Sequence, residues 1–222
     1  MPTDYNIERL NFLIVDDNKH MCTLVKTILN AFGVRNVIEA VDGADAFKAL
    51  KHFPADIIIC DWMMQPLDGL DFVRLVRTGK DSPNPYVPVI MLTGHTEMHR
   101  VVEARDAGVS EFLAKPVSPK KLYARIRSII EHQRSYIKTK TYFGPDRRRQ
   151  NMASYKGSER RKKQAETIET GPILNVTAIQ RPGEKSQPVP PPAAPAAAPA
   201  STSVTEEAKG LSQAELDALF DK

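Results

Sequence analysis

Residues 57–69 read IIICDWMMQPLDG, an apolar run that ends in an acid and is followed by a turn. The four residues before Asp61 show no alternation of apolar and polar side chains. Such a run is typical of a strand in a parallel sheet whose two faces are both covered by helices. The stretch therefore predicts a buried parallel strand with Asp61 at its carboxyl end.

Four further segments repeat this pattern of a short apolar strand followed by a helix. The predicted strands are 11–16, 36–40, 56–61, 88–93 and 111–114. The predicted helices are 19–32, 44–53, 70–78, 97–107 and 119–133, read from apolar residues at helical spacing. Five strand–helix units predict an α/β fold with a doubly wound five-stranded parallel sheet.

In a doubly wound sheet, the active site lies at the carboxyl ends of the strands. The predicted strands place there Asp16, Asp17, Asp61, Thr93 and Lys115. Three carboxylates at one edge repel one another unless a cation joins them, and hard oxygen ligands suit Mg²⁺. A carboxylate beside such a cation can attack phosphorus while a lysine ammonium neutralises the phosphoryl oxygens. The set predicts a phospho-acceptor aspartate with Mg²⁺ as its cofactor.

The motifs that carry these side chains resemble those of CheY-like response-regulator receiver domains, over residues 9–134. They are FLIVDD at 12–17, IIICDWMM and LDG within 57–69, VIMLTG at 89–94 and FLAKP at 112–116. The resemblance implies a flavodoxin-like sheet of strand order 2-1-3-4-5. It also implies that Asp61 receives a phosphoryl group from a histidine kinase or a phosphotransfer protein.

The same resemblance assigns roles to individual residues. The implied metal ligands are Asp16, Asp17, Asp61 and the backbone carbonyl of Met63. The implied phosphate-sensing and switch residues are Thr93, Lys115 and Phe112. Lys115–Pro116 is the implied cis peptide. Two positions depart from the family pattern: the switch aromatic is Phe112, which has no hydroxyl to donate, and Gln65 stands where the family often has proline, with Pro66 following.

Several other classes of protein are disfavoured by composition. The longest apolar runs are too short to span a membrane, and the N-terminus lacks the pattern of a secretory signal. Cys22 and Cys60 lie in apolar segments, so we expect buried, reduced thiols in a cytoplasmic protein. The sequence shows no zinc-type spacing and no DNA-binding or catalytic output domain, so we expect a signalling protein that is not an enzyme.

Charge divides the chain unevenly. The whole sequence has 31 Lys and Arg residues against 27 Asp and Glu, a net charge of +4. Residues 1–137 are neutral, residues 138–163 carry +8 and residues 164–222 carry −4. The basic excess therefore belongs to one segment of 26 residues.

That basic segment contains one unit twice. Residues 142–149 read YFGPDRRR and residues 155–162 read YKGSERRK, both of the form Tyr-x-Gly-x-acid-Arg-Arg-basic. Arginine can contact guanine edges in bidentate fashion and clamp phosphate, and tyrosine rings can stack on bases. A solvated basic tail, or charge-driven binding of RNA or an acidic membrane, are the alternatives.

The segment is similar to the arginine-rich extension of the Cle-type CheY-like proteins, which bind cyclic di-GMP. That resemblance favours cyclic di-GMP as the ligand. The contacts it points to are Tyr142, Asp146, Arg147, Arg148, Tyr155, Glu159 and Arg160.

The end of the chain predicts a linker and a docking helix. Residues 164–209 contain no aromatic residue, and seven of the 17 prolines fall within 182–199, so we expect a disordered Pro/Ala-rich linker over 164–209. Within 210–222, Ser212 and Glu215 form a capping box. The apolar docking positions are Leu211, Leu216, Leu219 and Phe220. This peptide resembles the N-terminus of the flagellar switch protein FliM, which binds phosphorylated CheY.

These observations predict a receiver domain over 1–137, a ligand-binding segment over 138–163, the linker and the docking helix. The predicted function is that of a single-domain response regulator that acts by protein–protein binding in chemotaxis or at the flagellar motor. In one alternative, cyclic di-GMP binding to the arginine-rich segment is the main switch and phosphorylation is secondary. In another, the chain is a plain phosphate sink.

Overall fold

A five-stranded parallel sheet forms the centre of the computed structural model, which describes residues 4–94, 98–139, 142–146, 166–168, 174 and 177–179. In chain order the elements are β1 (Asp4–Asn6), β2 (Asn11–Val15), α1 (Lys19–Ala31), β3 (Asn36–Ala40), α2 (Gly43–Leu50), β4 (Ile57–Asp61), α3 (Gly69–Thr78), β5 (Val89–Thr93), α4 (Met98–Ala107), β6 (Glu111–Ala114), α5 (Pro119–Glu131), β7 (Tyr136–Lys138), β8 (Phe143–Pro145), β9 (Glu166–Ile168) and β10 (Thr177–Ile179). The central sheet has the order β3-β2-β4-β5-β6, with every pair parallel. Counted among themselves these strands run 2-1-3-4-5, so the predicted fold and strand order are confirmed.

Two apolar cores lie on the two faces of this sheet. One combines buried residues of α2, α3 and α4 with one set of strand side chains, and the other combines buried residues of α1 and α5 with the alternate set. All five residues of β4 are buried, because its side chains serve both cores. Burying each large aliphatic side chain contributes about 1.5–3 kcal/mol, so these two faces supply most of the stability of the fold.

Most predicted helix boundaries agree with the structure to within two residues, and α2 is the exception. It ends at Leu50, whereas the predicted helix runs to Phe53. Pro54 disfavours a helical backbone at the residue before it, which explains the early end. N-cap side chains open four of the helices and bind their first free N–H groups. These caps are Asn18, Asp42, Asp68 and Ser118.

A second, antiparallel sheet follows α5. Its central strand is β7, which pairs with β8 on one side and with β9 on the other. Pro145 at the end of β8 pairs with Tyr136, and Glu166 at the start of β9 pairs with Lys138. Residues 147–165 therefore connect two strands that flank β7.

The chain then returns to its own N-terminus. β10 pairs with β1 in antiparallel fashion, with Asp4 opposite Ile179. Leu174, between β9 and β10, is buried in the core formed by α1 and α5. The backbone N–H of Tyr5 in β1 donates to the Tyr123 hydroxyl of α5 at 3.0 Å, which holds this strand pair against the receiver.

Within the predicted linker over 164–209, the structure describes seven residues. Residues 166–168 and 177–179 are strands and Leu174 is a core residue. The composition of 164–209 is dominated by the prolines of 182–199, which hid a stretch rich in β-branched residues before them. Such residues favour strands once a partner strand is present.

Beyond the predicted receiver boundary at residue 137, β8 and β9 pair with β7, and β10 pairs with β1. No helix in the described part of the chain is long and apolar enough to cross a membrane. The predicted docking helix, with Leu211, Leu216, Leu219 and Phe220, lies outside the described residues.

Candidate functional site

Three carboxylates meet at the carboxyl edge of the central sheet. Val15 at the end of β2 pairs with Cys60 of β4, so Asp16 and Asp61 leave neighbouring strands side by side. Oxygens of Asp16, Asp17 and Asp61 all lie within 4.8 Å of one another. Asp16 and Asp61 are buried, whereas Asp17 is exposed. The predicted acidic cluster is thus assembled, with one carboxylate open to solvent.

Lys115, directly after β6, brings a positive charge into this cluster. Its Nζ lies 2.9 Å from Asp61 Oδ1 and 3.5 Å from Asp16 Oδ2. Burial lowers the pKa of Lys115, but the hydrogen bond to Asp61 and the charges of Asp61 and Asp16 outweigh burial and raise it above its ordinary value. The amine therefore stays an ammonium ion at neutral pH.

Asp16 is held at the start of α1. Its Oδ1 accepts a hydrogen bond from the backbone N–H of Asn18 at 2.8 Å. Burial and the negative charge of Asp61 raise the pKa of Asp16, against the lowering effects of that N–H and of Lys115. The cluster holds three carboxylates against the one ammonium group of Lys115, and this excess of negative charge favours a bound cation.

Asp61 is fixed by its neighbours as well as by Lys115. The backbone N–H of Trp62 donates to Asp61 Oδ1 at 2.8 Å, so Oδ1 accepts from two donors and the carboxylate has one orientation. The backbone of α3 approaches closely at Gly69, where any Cβ would collide with the carbonyl oxygen of Asp61. The loop between β4 and α3 therefore requires glycine at this position.

The predicted switch residues lie on the two strands beyond β4. Thr93 ends β5 and is buried, and its carbonyl accepts from the backbone N–H of Lys115 at 2.8 Å. Phe112, on β6, is also buried, with its ring centroid 6.4 Å from that of Trp62. In this structure the phenyl ring is therefore already packed inward.

The remaining predicted features of the site lie in two loops. Met63 is 58% exposed, two residues beyond Asp61, in the loop that leads to α3. That loop contains a cis peptide at Gln65–Pro66, and the cis peptide predicted at Lys115–Pro116 is confirmed.

Sequence reasoning missed two contributors to this site. Asn18 follows the acidic pair directly, and its type at a helix start was a usable signal for an N-cap. Trp62 contacts Phe112 and also Arg100, whose guanidinium lies 5.9 Å from the indole centroid. That second contact joins α4 to the residue after Asp61, and no local sequence pattern indicates it.

Two of the cyclic di-GMP candidates lie within the described residues, in and directly after the β7–β8 hairpin. Tyr142 lies in the β7–β8 hairpin, where its hydroxyl donates to the Pro145 carbonyl at 2.7 Å. Asp146 follows β8, and its backbone N–H donates to the Ser135 carbonyl at 2.8 Å. The other candidates lie outside the described residues, namely Arg147, Arg148, Tyr155, Glu159 and Arg160.

Part of the repeated unit has a structural explanation in its first copy. Phe143 packs with Tyr86 and Tyr136, at centroid distances of 5.3 and 5.8 Å. A Cβ on Gly144 would lie 2.6 Å from the Tyr142 hydroxyl and 3.1 Å from the Gly108 Cα. The tyrosine and glycine of this copy therefore serve the packing of the hairpin, whatever the arginines bind.

Comparisons with known proteins agree with this geometry. Residues 12–127 match the family model described as the response regulator receiver domain. The chemotaxis protein CheY of Pseudomonas aeruginosa is 34% identical over 122 residues, which are 55% of this chain and 97% of that protein. The chemotaxis protein CheY-3 of Vibrio cholerae is 32% identical over 124 residues, covering 56% of this chain and 94% of that protein.

A solved structure is similar over the same part of the chain. The chemotaxis protein CheY4 of Vibrio cholerae aligns with a TM-score of 0.50 and 28% identity, covering 54% of this chain and 98% of that one. These relatives therefore match the receiver part of the chain, and the residues after it lie beyond the match.

Proposed function

The chain belongs to the response regulator receiver domain family, and we propose that it signals through phosphorylation of Asp61 by a histidine kinase or a phosphotransfer protein. The observation that carries the proposal is the cluster itself. Three carboxylates lie within 4.8 Å of one another, with an ammonium group 2.9 Å from one of them. Such a set suits phosphoryl transfer better than it suits a purely structural role.

In the proposed reaction the Asp61 carboxylate attacks the phosphorus of a phosphohistidine. A new P–O bond forms, the P–N bond breaks, and the departing imidazole keeps the electron pair. Trp62 and Lys115 hold the carboxylate in one orientation, which lowers the entropic cost of reaching the reactive geometry. The Lys115 ammonium also stabilises the negative charge of the transferred group.

We propose Mg²⁺ as the cofactor, held by Asp16, Asp17 and Asp61, with the Met63 carbonyl as a further ligand. The residues present suit it, because carboxylate oxygens are the ligands that Mg²⁺ prefers and three carboxylates here face one ammonium group. When bound, Mg²⁺ neutralises phosphoryl oxygens during transfer. The exposed Asp17 leaves the cluster accessible to an ion and to a phosphodonor.

The phosphorylation proposal is tested with the purified full chain, a small phosphodonor such as acetyl phosphate, and Mg²⁺. We expect a mass increase of one phosphoryl group that is absent in Asp61→Asn and in the presence of a chelator. Asp56→Asn is the matched control, because Asp56 only caps the start of β2 through the Asn11 N–H at 2.8 Å. Modification that persists in Asp61→Asn contradicts the assignment of the acceptor.

The output face we propose is formed by α4, β6 and α5. Glu111 and Arg125, both buried, form an ion pair at 3.2 Å, and Ser128 donates to Glu111 at 2.9 Å. These contacts fix α5 to β6. Thr93 is on β5, which lies between β4 with Asp61 and β6 with Phe112, so a change at Thr93 can be transmitted through packing to the face.

Chemotaxis or flagellar motor control is the setting we propose for this output. The relatives named above are chemotaxis proteins, and the C-terminal peptide resembles a segment of FliM. After Ile179, 31 residues precede the peptide at 211, and a flexible chain of that length spans about 30 Å. A receiver has a radius of gyration of about 14 Å, so the peptide can reach its own output face or that of another receiver.

The docking proposal predicts competition for the output face. FliM peptide should bind the phosphorylated chain more tightly when residues 210–222 are deleted. Leu216→Ala combined with Phe220→Ala should reproduce the deletion, whereas Lys222→Ala should not. Equal affinities with and without the segment, in both phosphorylation states, overturn docking on the protein's own receiver.

Cyclic di-GMP binding is the second candidate function, and one structural observation favours it. Both ends of 147–165 are held by β7, through Pro145 on one side and Glu166 on the other. Strand spacing puts β8 and β9 about 10 Å apart across β7. Residues 147–165, with eight basic residues and one acidic residue, are thus anchored to the same strand at both ends. This anchoring reduces the conformational entropy that the segment loses when it binds a compact ligand.

Calorimetry distinguishes this candidate from general anion binding. Cyclic di-GMP should bind with a stoichiometry near one or two, and Arg148→Ala should abolish binding, while GTP and a short RNA bind weakly. Arg127→Ala is the matched control, because this half-buried arginine of α5 pairs with Glu131 within the same helix. Equal and steeply salt-dependent binding of all three ligands indicates only electrostatic attraction.

A further inference from the structure

We propose that the β7–β8 hairpin, described over 136–139 and 142–145, couples the phosphorylation site through α4 to the arginine-rich segment that follows it, residues 147–165. The proposal rests on the proposed function of Asp61 but not on the identity of any ligand of the arginine-rich segment. The hairpin contacts one end of α4, and the residue after Asp61 contacts the other. β8 leads directly into Asp146, the acid of the first repeated unit.

The hairpin is fastened to the receiver through Arg77, a buried residue in the last turn of α3. Its Nε donates to the Gly108 carbonyl at 3.1 Å and its Nη1 donates to the Pro85 carbonyl at 2.7 Å. The guanidinium lies 5.5 Å from the centroid of the Tyr136 ring in β7. Within the described residues, Arg77 Nη2 has no hydrogen-bond acceptor. The cation–π contact with the Tyr136 ring therefore offsets part of the cost of burying this donor.

Two glycines bring the hairpin into backbone contact with the end of α4. Gly108 follows the last residue of α4 and has a φ of +98°, a conformation that favours glycine. A Cβ on Gly144 of β8 would lie 3.1 Å from the Gly108 Cα. The two backbones therefore pack with no side chain between them, and we expect a shift at this end of α4 to move the hairpin as well.

The opposite end of α4 is linked to the acceptor. Arg100, in the first turn of α4, lies over the indole ring of Trp62. The backbone N–H of Trp62 donates to Asp61 Oδ1 at 2.8 Å. Val101 of α4 is buried in the same core cluster as Trp62 and Phe112. A helix of ten residues is about 15 Å long, so α4 spans the receiver from the acceptor's neighbour to the hairpin.

The direction of the coupling follows from the arrangement observed. A phosphoryl group on Asp61 adds contacts beside Trp62 and thereby restrains the first turn of α4, while the docked hairpin restrains the other end of the same helix. Phosphorylation therefore stabilises the docked hairpin. Because coupling between two equilibria is reciprocal, a docked hairpin favours the phosphorylated state by the same factor.

The test uses the full chain with Mg²⁺ and beryllofluoride, which mimics a phosphoryl group on an aspartate. Beryllofluoride should slow amide hydrogen exchange in residues 136–146 at least threefold. Phe143→Ala, which removes the ring between Tyr86 and Tyr136, should weaken beryllofluoride binding at least threefold and leave Mg²⁺ affinity unchanged. Both affinities are followed by the fluorescence of Trp62, the only tryptophan in the sequence.

Leu24→Ala, which trims an exposed leucine on α1 on the other face of the sheet, is the matched control and should change neither affinity. If Phe143→Ala fails to fold, Tyr136→Phe carries the test, because it keeps the ring and removes only the hydrogen bonds of the hydroxyl, to the Tyr86 carbonyl at 2.6 Å and with the Ser110 side chain. Normal beryllofluoride binding with unchanged hairpin exchange, or with unchanged affinity in the hairpin variants, overturns the coupling alone. Failure of beryllofluoride to bind the unaltered chain overturns the proposed function and the coupling with it.

Discussion

Lys115 is the residue on which the electrostatics of the acidic cluster depend. Its ammonium group contacts both buried carboxylates, Asp61 and Asp16, and is the cation that the described residues supply at that point. Three carboxylates with oxygens within 4.8 Å of one another carry more negative charge than this single ammonium group balances. The excess of carboxylates favours binding of a divalent ion, and the Lys115 ammonium group favours binding of a phosphoryl group.

Replacing Lys115 by glutamine should strengthen Mg²⁺ binding and weaken phosphorylation. Removing one positive charge a few ångströms from a divalent site should raise the affinity for Mg²⁺ by about tenfold. The phosphoryl group loses its ammonium partner, so phosphorylation by acetyl phosphate should slow. Titration by Trp62 fluorescence measures the first effect, with Lys121→Gln on α5 as the control. Weaker Mg²⁺ binding in Lys115→Gln would contradict this account of the charges.

The two cysteines show how burial changes the chemistry of a single side chain. Burial raises the pKa of the Cys22 thiol to about 11 and that of Cys60 well above its ordinary value, and neither has appreciable exposure. Since the thiolate is the reactive form, the native protein should not react with iodoacetamide at pH 8 within an hour. The same protein in guanidinium chloride should lose both thiols quickly. Rapid reaction of the native chain would show that one of these sites opens readily.

At the scale of elements, the hairpin after α5 is joined to the receiver by an aromatic cluster. Tyr86, Tyr136 and Phe143 pack at centroid distances between 5.1 and 5.8 Å, and each contacts the other two. A two-stranded hairpin of three-residue strands is not stable alone. These rings and Arg77 therefore provide the burial that lets β7 and β8 form, and β7 in turn provides an edge for β9.

Gly144→Ala tests how closely that hairpin packs. The new methyl group would press on the Gly108 backbone and on the Tyr142 hydroxyl, so we expect a loss of about 1–3 kcal/mol in the free energy of unfolding. Gly94→Ala is a matched control, because no atom lies within 4 Å of its added Cβ. Urea unfolding followed by circular dichroism gives both values. Equal midpoints for the two variants would show that the hairpin yields without cost.

For the whole molecule, the receiver and the start of the tail form one packed unit. β10 pairs with β1, and Leu174 contributes to the core shared by α1 and α5. Burying that leucine alone contributes about 1.5–3 kcal/mol. The chain therefore closes on itself by pairing its N-terminal strand with a strand more than 170 residues later.

Truncation tests this closure. A chain that ends at Ile179 should unfold at the same urea concentration as the full chain, whereas a chain that ends at Thr139 should unfold at a lower one. The second chain loses β8, β9, β10 and the buried Leu174. Leu174→Ala in the full chain should reproduce part of the loss, since it removes core contacts without shortening the chain. Identical unfolding of the two truncated chains would show that the returning segment adds no stability.

The receiver fold and its acidic site were predictable because their signals are local. Each strand of the central sheet is a short apolar run, and the chemistry follows it directly at Asp16, Asp61, Thr93 and Lys115. The topology of a doubly wound sheet then brings these positions to one edge. The inward position of Phe112 and the contact of Trp62 with Arg100 were not predictable, because each depends on how separate elements pack.

The sequence by itself determined the five strand–helix units, the carboxylates at the strand ends and the duplicated arginine-rich unit. Only the tertiary structure decided that 166–168 and 177–179 are strands, that Arg77 lies against Tyr136, and that the arginine-rich segment is closed at both ends by β7. The physical reason is the long separation in sequence between the strands that pair. A strand of three residues is not stable without its partner, and here the partners are about 30 to 170 residues away in the chain, where no local pattern can report them.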